Sequence, residues 1–285
     1  MNTLTYSFIS TLSYIIHTLL FRFWGFEYYA HLAFLQSCCA IMIGLYMSKN
    51  IRSSTSCFYR KNTCSTLILT CIAVVGLWFW LISFGTLELP QFIAGQRIAI
   101  PFALYIQLSI SHLTNHHPIS IIGLGIISLV GTIGVSKEHK MDALVITIIS
   151  AIFISAYLTF TRYITHIRMM KETELLLYVG TIGTALSLMY LIIGDNMGIN
   201  FQYIRNPLFI INLLAAAIIG PISLLSMILY SRITTPIQTF VVNSLRDAIL
   251  ASIVAVSGLS QSFTPISGTV ASMFGCVLYL WKTSK

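Results

Sequence analysis

Long apolar runs alternate with short polar breaks along all 285 residues of the chain. A helix needs about twenty mainly apolar residues to cross the hydrocarbon core of a bilayer. Ten stretches qualify: 4–21, 30–48, 64–84, 90–110, 118–135, 142–161, 174–194, 208–230, 236–258 and 265–281. The breaks between them leave no room for a soluble domain. The pattern therefore predicts one all-α polytopic membrane domain over 1–285, with ten transmembrane helices. No basic residue precedes the first apolar run, so that run reads as a retained span rather than a cleaved signal.

Prolines then divide the chain. Pro90 opens the fourth span and Pro118 the fifth, 28 residues later, while Pro236 opens the ninth and Pro265 the tenth, 29 residues later. Gly123, Gly125, Gly131 and Gly134 follow in the fifth span, and Gly268 and Gly275 in the tenth. The spacing predicts two five-helix halves, 1–136 and 137–285. An odd number of spans in the first half makes the second start from the opposite face, which is an inverted repeat.

Composition and charge agree with lipid as the main solvent. Only 8% of residues are charged and 56% are hydrophobic, whereas a soluble domain carries about a quarter charged residues. The net charge of +8 comes from sixteen scattered Lys and Arg. Ten lie in the loops and tail on one side (Lys49, Arg52, Arg60, Lys61, Arg162, Arg168, Lys171, Arg232, Lys282, Lys285). Four lie on the other (Arg22, Lys137, Lys140, Arg205), and two, Arg97 and Arg246, fall inside spans. This asymmetry predicts cytoplasmic N- and C-termini, and basic residues explained by topology do not call for nucleic acid. The six cysteines lack zinc-like spacing or a disulfide framework and read as small apolar packing residues. His112, His116 and His117 cluster before Pro118 without Cys, Asp or Glu to complete a metal shell, so they read as a solvated turn. No phosphate-binding glycine loop occurs. Neither metal nor cofactor is expected.

Leu89-Pro90 through Ile100-Pro101-Phe102-Ala103-Leu104, then Pro118-Ile119-Ser120 through Gly134, carry a family pattern. It recurs from Met141 through Arg162 and from Pro236 through Gly275. In these stretches the chain resembles the drug/metabolite transporter superfamily, in its ten-helix EamA-like branch. The resemblance covers essentially the whole chain as a plan of spans, prolines and glycines. It implies two inverted halves and a central cavity lined by the first, third, fourth, sixth, eighth and ninth helices. It also implies that 118–135 and 265–281 pack outside that cavity and join two copies as a homodimer. An inner-membrane location in bacteria follows from the same resemblance. One departure stands out: Asn243, Arg246 and Asp247 occupy a helix that family members often keep small and apolar. That departure points to a polar or charged substrate.

Charges inside apolar spans cost roughly 2.5–3.5 kcal/mol each on insertion, so they mark pathways or partners. Arg97 lies about 10 Å and Arg246 about 15 Å into their spans at 1.5 Å per residue. Starting from opposite faces, both can approach one central site. There they would receive a carboxylate or phosphate, with Asp247 pairing an arginine, an ammonium or a proton. Gln96 and Asn243 extend the polar face. Tyr14 and His17 continue a stripe from Tyr6 and Ser10, Ser226 shares one with Ser223 and Tyr230, and Tyr157 precedes Thr161 by one turn. Trp78 is the candidate aromatic cavity wall, while Trp80, nearer the span's end, is expected to anchor at the interface. Asp247 and His17 are candidates for proton coupling.

The expected function is a secondary transporter that moves a small polar metabolite by alternating access, with amino acids and their derivatives first. A larger metabolite such as S-adenosylmethionine, a nucleotide or a vitamin is the alternative. An enzyme would show a buried catalytic pair of groups, which the sequence lacks, and a scaffold would leave no excess cation inside the membrane.

Overall fold

A computed structural model describes residues 8–17, 29–49, 63–87, 141–167, 171–193 and 206–256, with individual residues between 92 and 106 and between 274 and 279. Among these no strand occurs, and every described element is a helix. The helices are α1 (Phe8–His17), α2 (Tyr29–Lys49), α3 (Thr63–Thr86), α4 (Met141–Ile167), α5 (Glu172–Ile193), α6 (Pro207–Ile233) and α7 (Pro236–Val256). From α2 to α6, five helices are long and apolar enough to cross a membrane. α7 matches α2 at 21 residues, but Gln238, Asn243, Arg246 and Asp247 make it more polar. The span at 118–135, the prolines at 90, 118 and 265, and the histidines before Pro118 lie outside the described residues.

Helix starts follow local chemistry. Asn206 caps α6 by accepting from the Leu208 N–H at 3.1 Å, with Pro207 in the first turn where its missing N–H costs nothing. α7 begins after a two-residue turn with a reciprocal capping box: the Thr235 hydroxyl accepts from Gln238 N–H at 3.1 Å. The Gln238 side chain accepts in return from Thr235 N–H at 3.0 Å. Glu172 in the first turn of α5 pairs with Arg232 in the last turn of α6. Each charge also opposes the partial charge of its own helix end.

The lipid-facing and interior surfaces are opposite in character. Leu208, Ile211, Leu214, Ile218 and Ile222 form an exposed apolar stripe along α6, and Met189, Ile192 and Ile193 do the same on α5. Several buried serines and threonines instead donate to carbonyls of their own helix. Thr70 donates to the Thr66 carbonyl at 2.7 Å and Thr159 to the Ser155 carbonyl at 2.9 Å.

Between helices, small residues set the distance. α2 packs on α5, α3 on α4, and α6 against α2. A Cβ at Gly44 of α2 would lie 2.7 Å from Leu177 Cγ, and one at Gly180 of α5 would lie 3.0 Å from both Ile41 N and Ser37 O. The backbones themselves are in contact there, as close helix packing in lipid favours. At the α3–α4 crossing, Ser150 donates to the Gly76 carbonyl at 3.0 Å. Replacing Gly180 with Val should force α2 and α5 apart and destabilise the protein by about 1–3 kcal/mol. Thermal unfolding in detergent would register this as a clear drop, whereas Leu208→Ala on the lipid face should change it far less.

Candidate functional site

The capping box sends α7 back along α6, so Asn243 comes to face Met227, its amide donating to the Met227 sulfur at 3.8 Å. Arg246 and Asp247 sit just beyond. Both are buried, as is Arg97. Arg246 directs Nε and Nη2 onto one oxygen of Asp247, at 3.1 and 3.0 Å. Arg97 Nη1 lies 4.0 Å from the other oxygen, and its Nη2 donates to the Ser244 carbonyl at 3.1 Å. The two arginines predicted to converge do so, and Asp247 is where they meet.

Among the described residues, two guanidiniums and one carboxylate give this cluster a net charge of +1. The excess is partly met by a ring: the Arg246 guanidinium carbon lies 3.3 Å from the centroid of Tyr14, a cation–π contact of the kind that strengthens away from water. Arg246 Nη1 and Gln96 Nε2 have no hydrogen-bond partner among the described residues. Each stranded donor costs about 1–3 kcal/mol, and a charged one more. Both residues line a cavity of about 70 Å³, together with Arg97, Asn243 and Asp247.

A larger cavity of about 120 Å³ lies alongside it. Tyr14, Trp80, Ile154 and Met227 line both and form the partition. Trp80 is central to that wall. It meets Tyr14 edge-on at 6.0 Å, stacks on His17 at 5.8 Å and on Phe84 at 4.9 Å, and takes Phe92 against its face at 5.5 Å. The interfacial role expected of Trp80 is thus corrected: it is 9% exposed and packed in the interior. The rings of Tyr14, His17, Phe84 and Phe92 packed around it, rather than its place along the span, set its burial. The i, i+4 pair Trp80 and Phe84 was the available signal.

Trp78 lines the larger cavity, donating its indole N–H to Ser187 at 3.3 Å and packing on Tyr190 at 4.8 Å. Tyr157 and His17 line it as well. Ser226 does not. Its hydroxyl donates to the Ser223 carbonyl at 2.8 Å, and Ser223 is the serine that α6 places on the cavity wall.

Gln36, which sequence reading passed over as one polar residue in an apolar span, organises the far end. Its amide nitrogen lies 2.6 Å from His17 Nε2 and 3.2 Å from the Ala216 carbonyl. With both amide hydrogens donated, His17 Nε2 must accept. The ring is therefore neutral, with its proton on Nδ1, and that nitrogen is not free to take a proton in this arrangement.

No family model matches this chain, nor does any curated protein. A solved structure described only as "Crystal structure of protein" shares its fold with a TM-score of 0.70 over 97% of this chain and 98% of that one, at 10% identity.

Charge counting yields a test of the cluster. Asp247→Asn leaves two buried guanidiniums facing each other and should cost about 3–5 kcal/mol. Arg246→Ala leaves one arginine with one aspartate and should cost less, an order that thermal unfolding of the two purified variants would reveal.

Proposed function

We propose that the chain is a secondary transporter for a small organic solute carrying an anionic group. The observation that carries this reading is the net-positive cluster of Arg97, Arg246 and Asp247, with stranded donors on the wall of a cavity between helices. An excess cation held away from water gains most by meeting an anion, and guanidinium binds carboxylate or phosphate through paired hydrogen bonds. A carboxylate of an amino acid or derivative suits the site, and the phosphate of a nucleotide is the alternative offered by the same chemistry.

In this reading ten helices form two inverted halves, both termini are cytoplasmic, and the protein is an EamA-like member of the drug/metabolite transporters in a bacterial inner membrane. The segments 118–135 and 265–281 would join a homodimer. Helix pairing supports the inverted plan. If α2 exchanges with α5 and α3 with α6, the α2–α5 contact maps onto itself and the α2–α6 contact maps onto α3–α5, and all three contacts occur. The site itself joins Arg97 of the first half to Asp247 of the second. An excess buried cation disfavours a scaffold, whose interior would pack dry.

Reconstitution into liposomes tests the proposal. Wild-type protein should carry a small carboxylate or phosphate-bearing solute down its gradient, and Arg97→Ala or Arg246→Ala should cut the rate at least about tenfold with a folded yield near normal. Equal flux through these variants, or failure of wild type to move any amino acid, nucleotide or vitamin, would sink it.

A further inference from the structure

The two cavities differ in chemistry, and the wall between them is shared. The smaller holds Arg97, Arg246 and Asp247, with the stranded donors of Arg246 and Gln96. The larger is lined mainly by apolar and aromatic side chains, among them Trp78, Leu81, Leu158 and Val179. Several of its polar members have spent their hydrogen bonds on the protein itself. The Gln36 amide donates to Ala216 and His17, Ser37 donates to the Ala33 carbonyl at 2.8 Å, and the Trp78 indole donates to Ser187. At about 120 Å³ it far exceeds the ~10–15 Å³ that admits one water. Such a space gains by enclosing an apolar group.

Asp247 has little left to offer a second cation. One of its oxygens already accepts two bonds from Arg246, and the other faces Arg97. A substrate ammonium approaching that second oxygen would lie beside two guanidiniums of like charge, which repel it. The head site therefore narrows the carboxylates proposed above to those without a neighbouring ammonium, a plain anion over an amino-acid zwitterion.

Resting on the transport reading above, we infer that the two cavities are compartments of one site for an amphipathic monoanion, its carboxylate on Arg246 and Gln96 and its aromatic or branched body beside Trp78 and Trp80. Tyr14 is the divider. Its ring lies under the Arg246 guanidinium on one side and against Trp80 on the other.

The test measures binding to the purified full-length protein for four probes: 3-phenylpropionate, propionate, 3-phenylpropan-1-ol and phenylalanine. The first should bind at least about tenfold tighter than each of the others, because burying a phenyl group or pairing the carboxylate each contributes that much. Val179→Phe, which fills the larger compartment, should shrink the advantage over propionate. If propionate binds as well as 3-phenylpropionate, the larger cavity plays no part; if the alcohol does, the arginines are not the head site; if phenylalanine does, the preference for a monoanion is wrong. Each of these results overturns the inference. Absence of binding by all four, with arginine-dependent flux of another anion in liposomes, overturns it while leaving the transport reading intact. Absence of both binding and flux removes both. Binding of 3-phenylpropionate in the predicted order without flux upholds the site and removes transport.

Discussion

Asp247 is shared between two guanidiniums that reach it from distant parts of the chain, Arg246 holding one oxygen while Arg97 stands 4.0 Å from the other. Taken singly, each of the three charges is an expensive guest in an apolar interior. Together they are tolerable, but the sum does not reach zero. The remaining positive charge governs what surrounds it. Arg246 is laid over the face of Tyr14, Arg97 reaches the Ser244 carbonyl, and part of the donor capacity is still unused.

From that cluster a line of contacts runs through the molecule. Tyr14 leads to Trp80, Trp80 to His17, His17 to Gln36, and Gln36 to the Ala216 carbonyl on α6. Residues from α1, α2, α3, α6 and α7 are thereby joined by rings and hydrogen bonds. The same Gln36 side chain fills the space left by the absent Cβ of Gly220, one residue before Pro221. A proline inside a helix removes a hydrogen bond and bends the axis, and α6 carries its proline on the cavity wall. The close α2–α5 packing and the proline-bearing stretch of α6 thus bound the larger cavity, while the charge cluster bounds the smaller. The solute proposed above, with an anionic head and an apolar body, would be the complement of that pair.

A neutral His17 held by Gln36 also bears on coupling. Of the two residues with chemistry suited to carrying a proton, one is engaged as an acceptor and the other is clamped between arginines. Under the proposed transport reading, any proton movement through either would require those contacts to rearrange.

By itself the sequence determined the class and the cast. Insertion into a bilayer depends on the hydropathy of about twenty consecutive residues, a local property, so α2 through α7 begin within two residues of the predicted spans. Arg97, Arg246 and Asp247 were visible for the same reason, as charges inside runs that otherwise exclude them. Only the tertiary structure decided the pairings. Ser244 meets Arg97 across 147 residues and Gln36 meets Ala216 across 180, distances no local window contains. It also moved Trp80 from an expected interface to the wall between two cavities, and assigned the cavity-lining place to Ser223 rather than Ser226. Those outcomes depend on how helices rotate about their axes when glycines let them touch, a degree of freedom set by packing partners and not by the hydropathy of any one helix.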